Sequence, residues 1–220
     1  CEPKFDSPLL KVKDAYHPLL AEPVPNSISM NKTGILITGS NMSGKSTFLR
    51  SLGLNVLFAQ SIYTCLASSY QGNFYELLTS IGRADNIIEG KSYYLVEAQA
   101  LLRIIQNVKS GVYTFCIVDE IFRGTNSLER LAASHHVLRY LVKKDCLVFA
   151  ATHDLELVDL LGDLYENYHF REKFSESGLE FDYLLREGPS TTKNAIQLLE
   201  FLGYPDEVIR PAKLEIEEKA

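Results

Sequence analysis

The 220-residue sequence predicts an α/β fold in which helices flank a mostly parallel central sheet. Three apolar runs are typical of strands buried on both faces, and they lie at 35–37, 112–118 and 146–151. Each run is followed by a segment with helical periodicity, at 48–61, 127–144 and 155–161 respectively. A further strand and helix lie between the first helix and the second run. Asn126 or Ser127 is the expected N-cap of the second of these helices.

Weaker patterns predict the remaining elements of the core. Residues 74–81 read as a strand, and 94–108 has helical spacing with Ser92 placed as its N-cap. Two alternating segments, 164–171 and 179–186, predict an antiparallel hairpin. The core domain is therefore expected to cover 34–188.

The two ends of the chain carry different patterns. Residues 1–33 contain prolines at 3, 8, 18, 23 and 25 and little periodicity, so they predict an irregular lead-in segment packed on the core. Residues 189–220 predict two helices broken at 203–205. The first of them has a broad apolar face, which either covers the core or contacts another subunit.

Composition limits the classes of function. The net charge of -6 and pI near 5.4 give no sequence-wide basic character, so any DNA contacts are expected to come mostly from elsewhere. The four cysteines form no C-x-x-C pair, which favours a reducing, intracellular (cytoplasmic) setting. No run of 18 apolar residues and no signal peptide is present, so no membrane is expected. The chain lacks an initiator Met, and we expect a domain of a longer protein.

The most informative stretch is the glycine-rich turn between the first strand and its helix. It has the form G-x-x-x-x-G-K-S, in the strand–loop–helix context that a phosphate-binding loop (Walker A) requires. Backbone N–H groups of such a loop surround a polyphosphate at the helix N-terminus. Lys45 is expected to reach the β- and γ-phosphates, and the Ser46 hydroxyl to bind Mg²⁺. The expected nucleotide-binding residues are Gly39, Ser40, Asn41, Met42, Ser43, Gly44, Lys45, Ser46 and Thr47.

Two further strand ends carry polar residues that fit nucleotide hydrolysis. The second strand ends in Asp119 and Glu120, as a Walker B strand does. Asp119 is expected to hold Mg²⁺, and Glu120 to orient and polarise the attacking water. The third strand ends at His153, which is well placed to hydrogen-bond a γ-phosphate, although a surface or capping histidine has the same local pattern. Together with Lys45, these residues predict a P-loop NTPase.

The motifs, taken in order, resemble the C-terminal ABC-type ATPase domain of the MutS DNA mismatch-repair family. TGSNMSGKST at 38–47 resembles TGPNMGGKST, and DEIFRGT at 119–125 resembles DEIGRGT. Ala151-Thr152-His153 matches the family's ATH, Asn167-Tyr168-His169 its N-x-H, and Gly203-Tyr204-Pro205 its G-x-P. The likeness spans nearly the whole chain.

The resemblance implies a Mg²⁺-dependent ATPase that converts ATP and water to ADP and phosphate. It implies that His169 lies against adenine and that Ser92 reaches across a dimer to the partner's nucleotide. It further implies a homodimer formed through the ATPase face and a C-terminal helix-turn-helix at 189–220. Double-stranded DNA would be bound through domains absent from this chain, in mismatch repair or recombination.

The sequence departs from the family pattern at several positions, which suggests a divergent MutS-like protein. Ser40 and Ser43 replace a proline and a glycine in the loop. Glu129-Arg130 replaces Asp-Gly after the G-T turn, and Val24 stands where an aromatic residue often packs on adenine.

Two alternatives remain open from the sequence. Another ABC-type ATPase, from a transporter or a chromosome-maintenance protein, would carry an L-S-G-G-Q-like loop before the Walker B strand; this chain has Gly90-Lys91-Ser92-Tyr93 there. The other alternative is a nucleotide-gated dimerisation module with little hydrolysis. The retained Lys45 and Glu120 argue against complete loss of chemistry.

Overall fold

The computed structural model describes residues 1–82, 93–108, 112–122, 125–175, 178–190 and 195–218. In chain order the strands are β1 (Pro3–Lys4), β2 (Lys11–Ala15), β3 (Asn26–Ser29), β4 (Gly34–Thr38), β5 (Ser69–Gln71), β6 (Glu76–Ser80), β7 (Thr114–Asp119), β8 (Cys146–Ala151), β9 (Tyr165–His169), β10 (Glu172–Ser175), β11 (Gly178–Phe181) and β12 (Arg186–Glu187). The α-helices are α1 (Lys45–Ile62), α2 (Tyr93–Asn107), α3 (Ser127–Leu141), α4 (Glu156–Leu161), α5 (Ala195–Phe201) and α6 (Asp206–Glu218).

The largest sheet contains six strands in the order β12-β9-β4-β8-β7-β6. Strands β9, β4, β8, β7 and β6 run parallel to one another, and β12 is antiparallel to β9 at one edge. Strands β4, β7 and β8 are buried along their whole length, which explains why each reads as a continuous apolar run. The predicted mixed α/β class is confirmed.

The side chains of the central strands alternate between two apolar clusters on opposite faces of this sheet. Ile35 and Ile37 point into one cluster with α1, whereas Leu36 between them points into the other. The second cluster also contains side chains of α2, α3 and α4. Helices therefore cover both faces of the sheet. No helix in the described ranges is both long and apolar enough to cross a membrane.

The prediction that 1–33 is irregular is wrong. Strands β1, β2 and β3 form a second sheet with β5, in the order β1-β5-β2-β3. Four of the five prolines lie in the connections between these strands, and no strand of this sheet is longer than five residues, so their alternation is too short to recognise. The segment does pack on the core, since Val12, Ile28 and Met30 lie in the same cluster as α1.

The predicted antiparallel pairing of 164–171 with 179–186 is confirmed only where Arg186 of β12 lies opposite His169 of β9, and the hairpin itself lies elsewhere. The first predicted segment forms β9, which lies beside β4 in the large sheet, and the observed hairpin is β10 with β11. The prediction placed the turn in the right region but assigned the inner strand to the hairpin, because alternation does not reveal which neighbour a strand has. The two C-terminal helices are observed as predicted, with the break between Phe201 and Asp206.

Candidate functional site

The site lies where the carboxyl ends of β4, β8 and β7 meet. These strands are direct neighbours, so the loop after Thr38, the turn after Ala151 and the acidic end of β7 share one edge of the sheet. Ligands of open α/β sheets bind at this edge. The sequence-predicted residues of the three motifs are thereby brought together.

The glycine-rich loop has a backbone that only glycine adopts easily at its ends. Gly39 has φ 137°, and a Cβ built on it would lie 2.6 Å from the carbonyl oxygen of Phe170. Gly44 has φ 111° and precedes the first residue of α1. The N–H groups of the first helical turn have no intrahelical acceptor, so they are available to an anion held by this loop.

The Lys45 amine is buried inside the loop. Its Nζ donates to the carbonyl oxygens of Gly39 and Ser40 at 2.7 Å each, and the side chain is only 4% exposed. The same Nζ lies 3.8 Å from Oε1 of Glu120. A positive charge thus sits between the loop and the acidic strand end.

The two carboxylates after β7 have different surroundings. The backbone N–H of Glu120 donates to the Ala151 carbonyl at 2.9 Å, and Glu120 itself has φ 53°. Such a conformation costs of order 1–3 kcal/mol for a non-glycine residue and is concentrated at functional sites. Asp119 is buried, and its Oδ1 has no hydrogen-bond partner among the described residues. A buried unpaired carboxylate oxygen is the kind of group that a cation satisfies.

His153 stands between two carboxylates. Its Nδ1 is 3.3 Å from Oε2 of Glu120, and its Nε2 is 3.7 Å from Oδ1 of Asp154. The contact with Glu120 raises the pKa of His153 above its usual 6.5, with Asp154 adding to the effect. The ring is nearly half exposed, so it can meet both solvent and a ligand.

A cavity of about 600 Å³ opens beside the loop. Its lining combines loop and helix residues, the lead-in segment and the region after β9: Ala15, His17, Leu20, Glu22, Val24, Asn26, Ser40, Asn41, Met42, Gly44, Lys45, Ser46, Thr47, Phe48, Ser51, Glu120, Phe170 and Tyr183. Sequence reasoning missed Phe170 and Tyr183. Phe170 directly follows the N-x-H pattern and packs edge-on against Phe48, with ring centroids 5.9 Å apart, so its position next to a motif was the available signal.

Asn26 explains how Tyr183 reaches the cavity. The Asn26 amide donates to the Tyr183 carbonyl at 2.9 Å, and its oxygen accepts from the Leu185 N–H at 2.7 Å. The 183–185 turn is thereby tied to the lead-in segment, 157 residues away in sequence. No local sequence pattern predicts a contact between residues that lie so far apart in the chain.

Several predicted site residues lie elsewhere or have other contacts. His169 ends β9, its Nδ1 lies 2.9 Å from the Gly188 carbonyl, and it is not among the residues that line the cavity. Ser43 is buried, and no described group hydrogen-bonds to its Oγ. Ser40 donates to Oε2 of the buried Glu172 at 2.9 Å. Ser92 lies outside the described residues, so its predicted contact stays a prediction, as does that of His169 with adenine.

The fold and the site together define a mixed α/β protein whose glycine-rich loop, acidic strand end and histidine meet at one sheet edge. A family model described as MutS domain V matches residues 35–219. The chain belongs to the MutS family.

Two relatives show the extent of the similarity. The DNA mismatch repair protein MutS of Thermus thermophilus is 31% identical over 208 residues, which cover 93% of this chain and 25% of that protein. The protein of the same name from Clostridium botulinum (strain Alaska E43) is 31% identical over 225 residues, which cover 96% of this chain and 24% of that protein. The chain spans about a quarter of the length of these relatives.

Proposed function

We propose that this chain is the ATP-binding and ATP-hydrolysing domain of a MutS-like, DNA-binding protein, with the fold of a P-loop ATPase. The observation that carries the proposal is the buried Lys45 amine, held by the glycine-rich loop 3.8 Å from the Glu120 carboxylate beside a cavity of nucleotide size. A loop of this kind at a helix start favours a polyphosphate.

The residues present fit a Mg²⁺ ion. The described residues contain no cluster of three or more His, Cys, Asp or Glu side chains that could hold a metal by themselves. Mg²⁺ bound with a nucleotide needs few protein ligands, because phosphates and water complete its octahedron. Asp119, with its unpaired buried oxygen, and the Ser46 hydroxyl would hold the ion. When bound, Mg²⁺ would neutralise charge on the phosphates.

Catalysis is assigned to Glu120, Lys45 and His153. Glu120 is fixed by its backbone bond to Ala151, so its carboxylate can orient a water molecule and draw on its proton. The Lys45 ammonium stabilises negative charge on the transferred phosphoryl group. His153, in contact with Oε2 of Glu120, would sense the γ-phosphate and help to fix the carboxylate.

The wider activity is proposed from the relatives and from the exposed surface. The relatives are DNA mismatch repair proteins, and the acidic charge of this chain favours DNA contacts through parts that lie outside it. The C-terminal helices and their connection expose apolar side chains, which supports a homodimer through this region: Phe201, Leu202, Tyr204, Val208 and Leu214. Ser92 is proposed to complete the partner's site.

The test compares two site variants with a matched control. Lys45→Met should weaken ATP binding by at least about tenfold in calorimetry with Mg²⁺, because it removes a charge that contacts the phosphates. Glu120→Gln should bind ATP with near wild-type affinity yet lose roughly 100-fold or more in kcat. Lys143→Met, at an exposed position after α3, should leave both quantities unchanged.

Dimerisation is measured separately by sedimentation with a non-hydrolysable ATP analogue. Wild type should shift to a dimer with the analogue, and Ser92→Ala should shift less. The proposal of an ATPase fails if Lys45→Met binds ATP as tightly as Lys143→Met. If wild type binds ATP tightly but does not hydrolyse it, the proposed catalysis is rejected. If it binds ATP tightly but does not dimerise, the proposed homodimer is rejected.

A further inference from the structure

Arg130 and Asp154 form a second charged pair next to His153. Arg130, in the first turn of α3, donates from Nε to Oδ2 of Asp154 at 2.9 Å and from Nη2 to Oδ1 at 2.8 Å. Both side chains are largely shielded from solvent, at 18% and 11% exposure. A two-pronged contact of this geometry is stronger and more directional than a single ion pair. Arg130 is also one of the positions at which the sequence departs from the MutS-family pattern.

The backbone around Asp154 is held as well. Its N–H donates to Oγ1 of Thr152 at 3.0 Å, so the turn that follows β8 closes on itself. The Asp154 carboxylate therefore has a fixed position relative to both the sheet edge and α3. His153, which lies between Thr152 and Asp154, is carried by the same turn.

The contacts form one continuous series of alternating charge. Arg130 contacts Asp154, whose Oδ1 is 3.7 Å from Nε2 of His153, and Nδ1 of His153 is 3.3 Å from Oε2 of Glu120. Without a partner, the nearly half-exposed imidazole would be free to turn toward solvent. The fixed Asp154 carboxylate lies 3.7 Å from Nε2, too far for a hydrogen bond but close enough to attract the protonated ring, so it favours the orientation in which Nδ1 meets Glu120.

We propose that Arg130 is a positioning residue that, through Asp154, holds the His153 ring against the Glu120 carboxylate. It thereby sets the direction in which Glu120 faces the water molecule. This inference rests on the proposed ATPase activity and adds to it a residue that does not touch nucleotide. Misplacement of a reacting group by about 1 Å costs on the order of 100-fold in rate. Arg130 acts on the site only through Asp154, so its loss is expected to cost less, about tenfold in kcat.

The competing explanation is a purely structural clamp between α3 and the turn after β8. The two explanations differ in how His153 responds. The charge of Arg130 by itself lowers the pKa of His153, so a clamp that does not act on the ring predicts that this pKa rises when Arg130 is removed. Loss of positioning instead weakens the contact with Glu120, the largest cause of the raised pKa, so the pKa of His153 falls toward that of a free histidine.

The experiment measures ATP turnover and the NMR titration of the histidine rings in the full chain. Arg130→Met should lower kcat about tenfold with ATP affinity within about threefold, and should lower the His153 midpoint because the ring loses its contact with Glu120. Asp154→Asn should give a similar loss of kcat and lower the midpoint. The double variant should turn over no more slowly than Asp154→Asn alone, because Arg130 acts only through Asp154.

Matched controls separate position from charge. Arg139→Met on the same helix and Asp159→Asn on α4 remove exposed charges and should leave kcat unchanged. Arg130→Lys keeps the positive charge but cannot make the two-pronged contact with Asp154, so its kcat should lie between those of Arg130→Met and wild type. Thermal midpoints show whether each variant folds.

The inference is overturned if folded Arg130→Met keeps kcat within twofold of wild type while Glu120→Gln abolishes it, an outcome that leaves the ATPase proposal intact. It is equally overturned if folded Arg130→Met raises the His153 midpoint, which is the effect of its charge alone. Absence of turnover in wild type would refute the ATPase proposal, and the ring titrations would still decide whether Arg130 acts on His153 through Asp154.

Discussion

Replacement of Gly39 by alanine tests the geometry of the glycine-rich loop most directly. The new Cβ would lie 2.6 Å from the backbone oxygen of Phe170 and 3.1 Å from Oγ of Ser43. The first contact is with backbone at the end of β9, which cannot rotate away as a side chain could. The residue also has φ 137°, a conformation that alanine rarely adopts.

The expected cost has two parts. Backbone strain at such a φ contributes about 1–3 kcal/mol to the loss of stability. Forcing the loop away from Phe170 adds about 1–3 kcal/mol, the usual range for overpacking a well-filled site. Because the loop must move to relieve the collision, ATP affinity should also fall by at least about tenfold.

Gly203→Ala is the matched control, since Gly203 has φ 81° and a Cβ built there would meet no described atom within 4 Å. It should show the strain alone and leave nucleotide binding unchanged. Urea unfolding and calorimetry give the two quantities for both variants. If Gly39→Ala is no less stable than Gly203→Ala and binds ATP equally well, the close approach of the loop to β9 is not the constraint described.

Two further predictions concern His153 and the start of α3. The pKa of His153 is raised by Glu120, so its contribution to stability should be complete below its usual 6.5 and be lost as pH rises through the raised value; the free energy of unfolding should show this decline in wild type and not in His153→Gln. Asn126 caps α3 by accepting from the Leu128 N–H at 2.9 Å, so Asn126→Ala should cost about 1 kcal/mol in urea unfolding, whereas Ser127→Ala, at an exposed neighbouring position, should cost less than half of that.

The elements predicted best are those whose sequence signal is local. Strands β4, β7 and β8 are buried on both faces and therefore read as unbroken apolar runs. The cap at Asn126, the loop glycines and the acidic end of β7 can each be recognised from a pattern of neighbouring residues in the sequence. Their meeting at one sheet edge follows from parallel pairing.

The elements missed depend on contacts that are distant in sequence. Strand β1 pairs with β5 across more than 60 residues, and neither is longer than three residues. Arg130 and Asp154 are 24 residues apart and carry no joint pattern. The placement of Tyr183 depends on Asn26, near the other end of the chain. Each of these depends on tertiary contacts that no local pattern in the sequence encodes.

The lead-in segment and α1 share one apolar core, and this limits where a shortened recombinant fragment can begin. The family match begins at residue 35, yet Leu10, Val12, Ile28 and Met30 are fully enclosed together with side chains of α1. A recombinant fragment that starts at the match boundary would present this face of the helix to water and invite aggregation. The smallest portion to express as a soluble piece therefore includes the amino-terminal strands, which the boundaries of sequence similarity leave out.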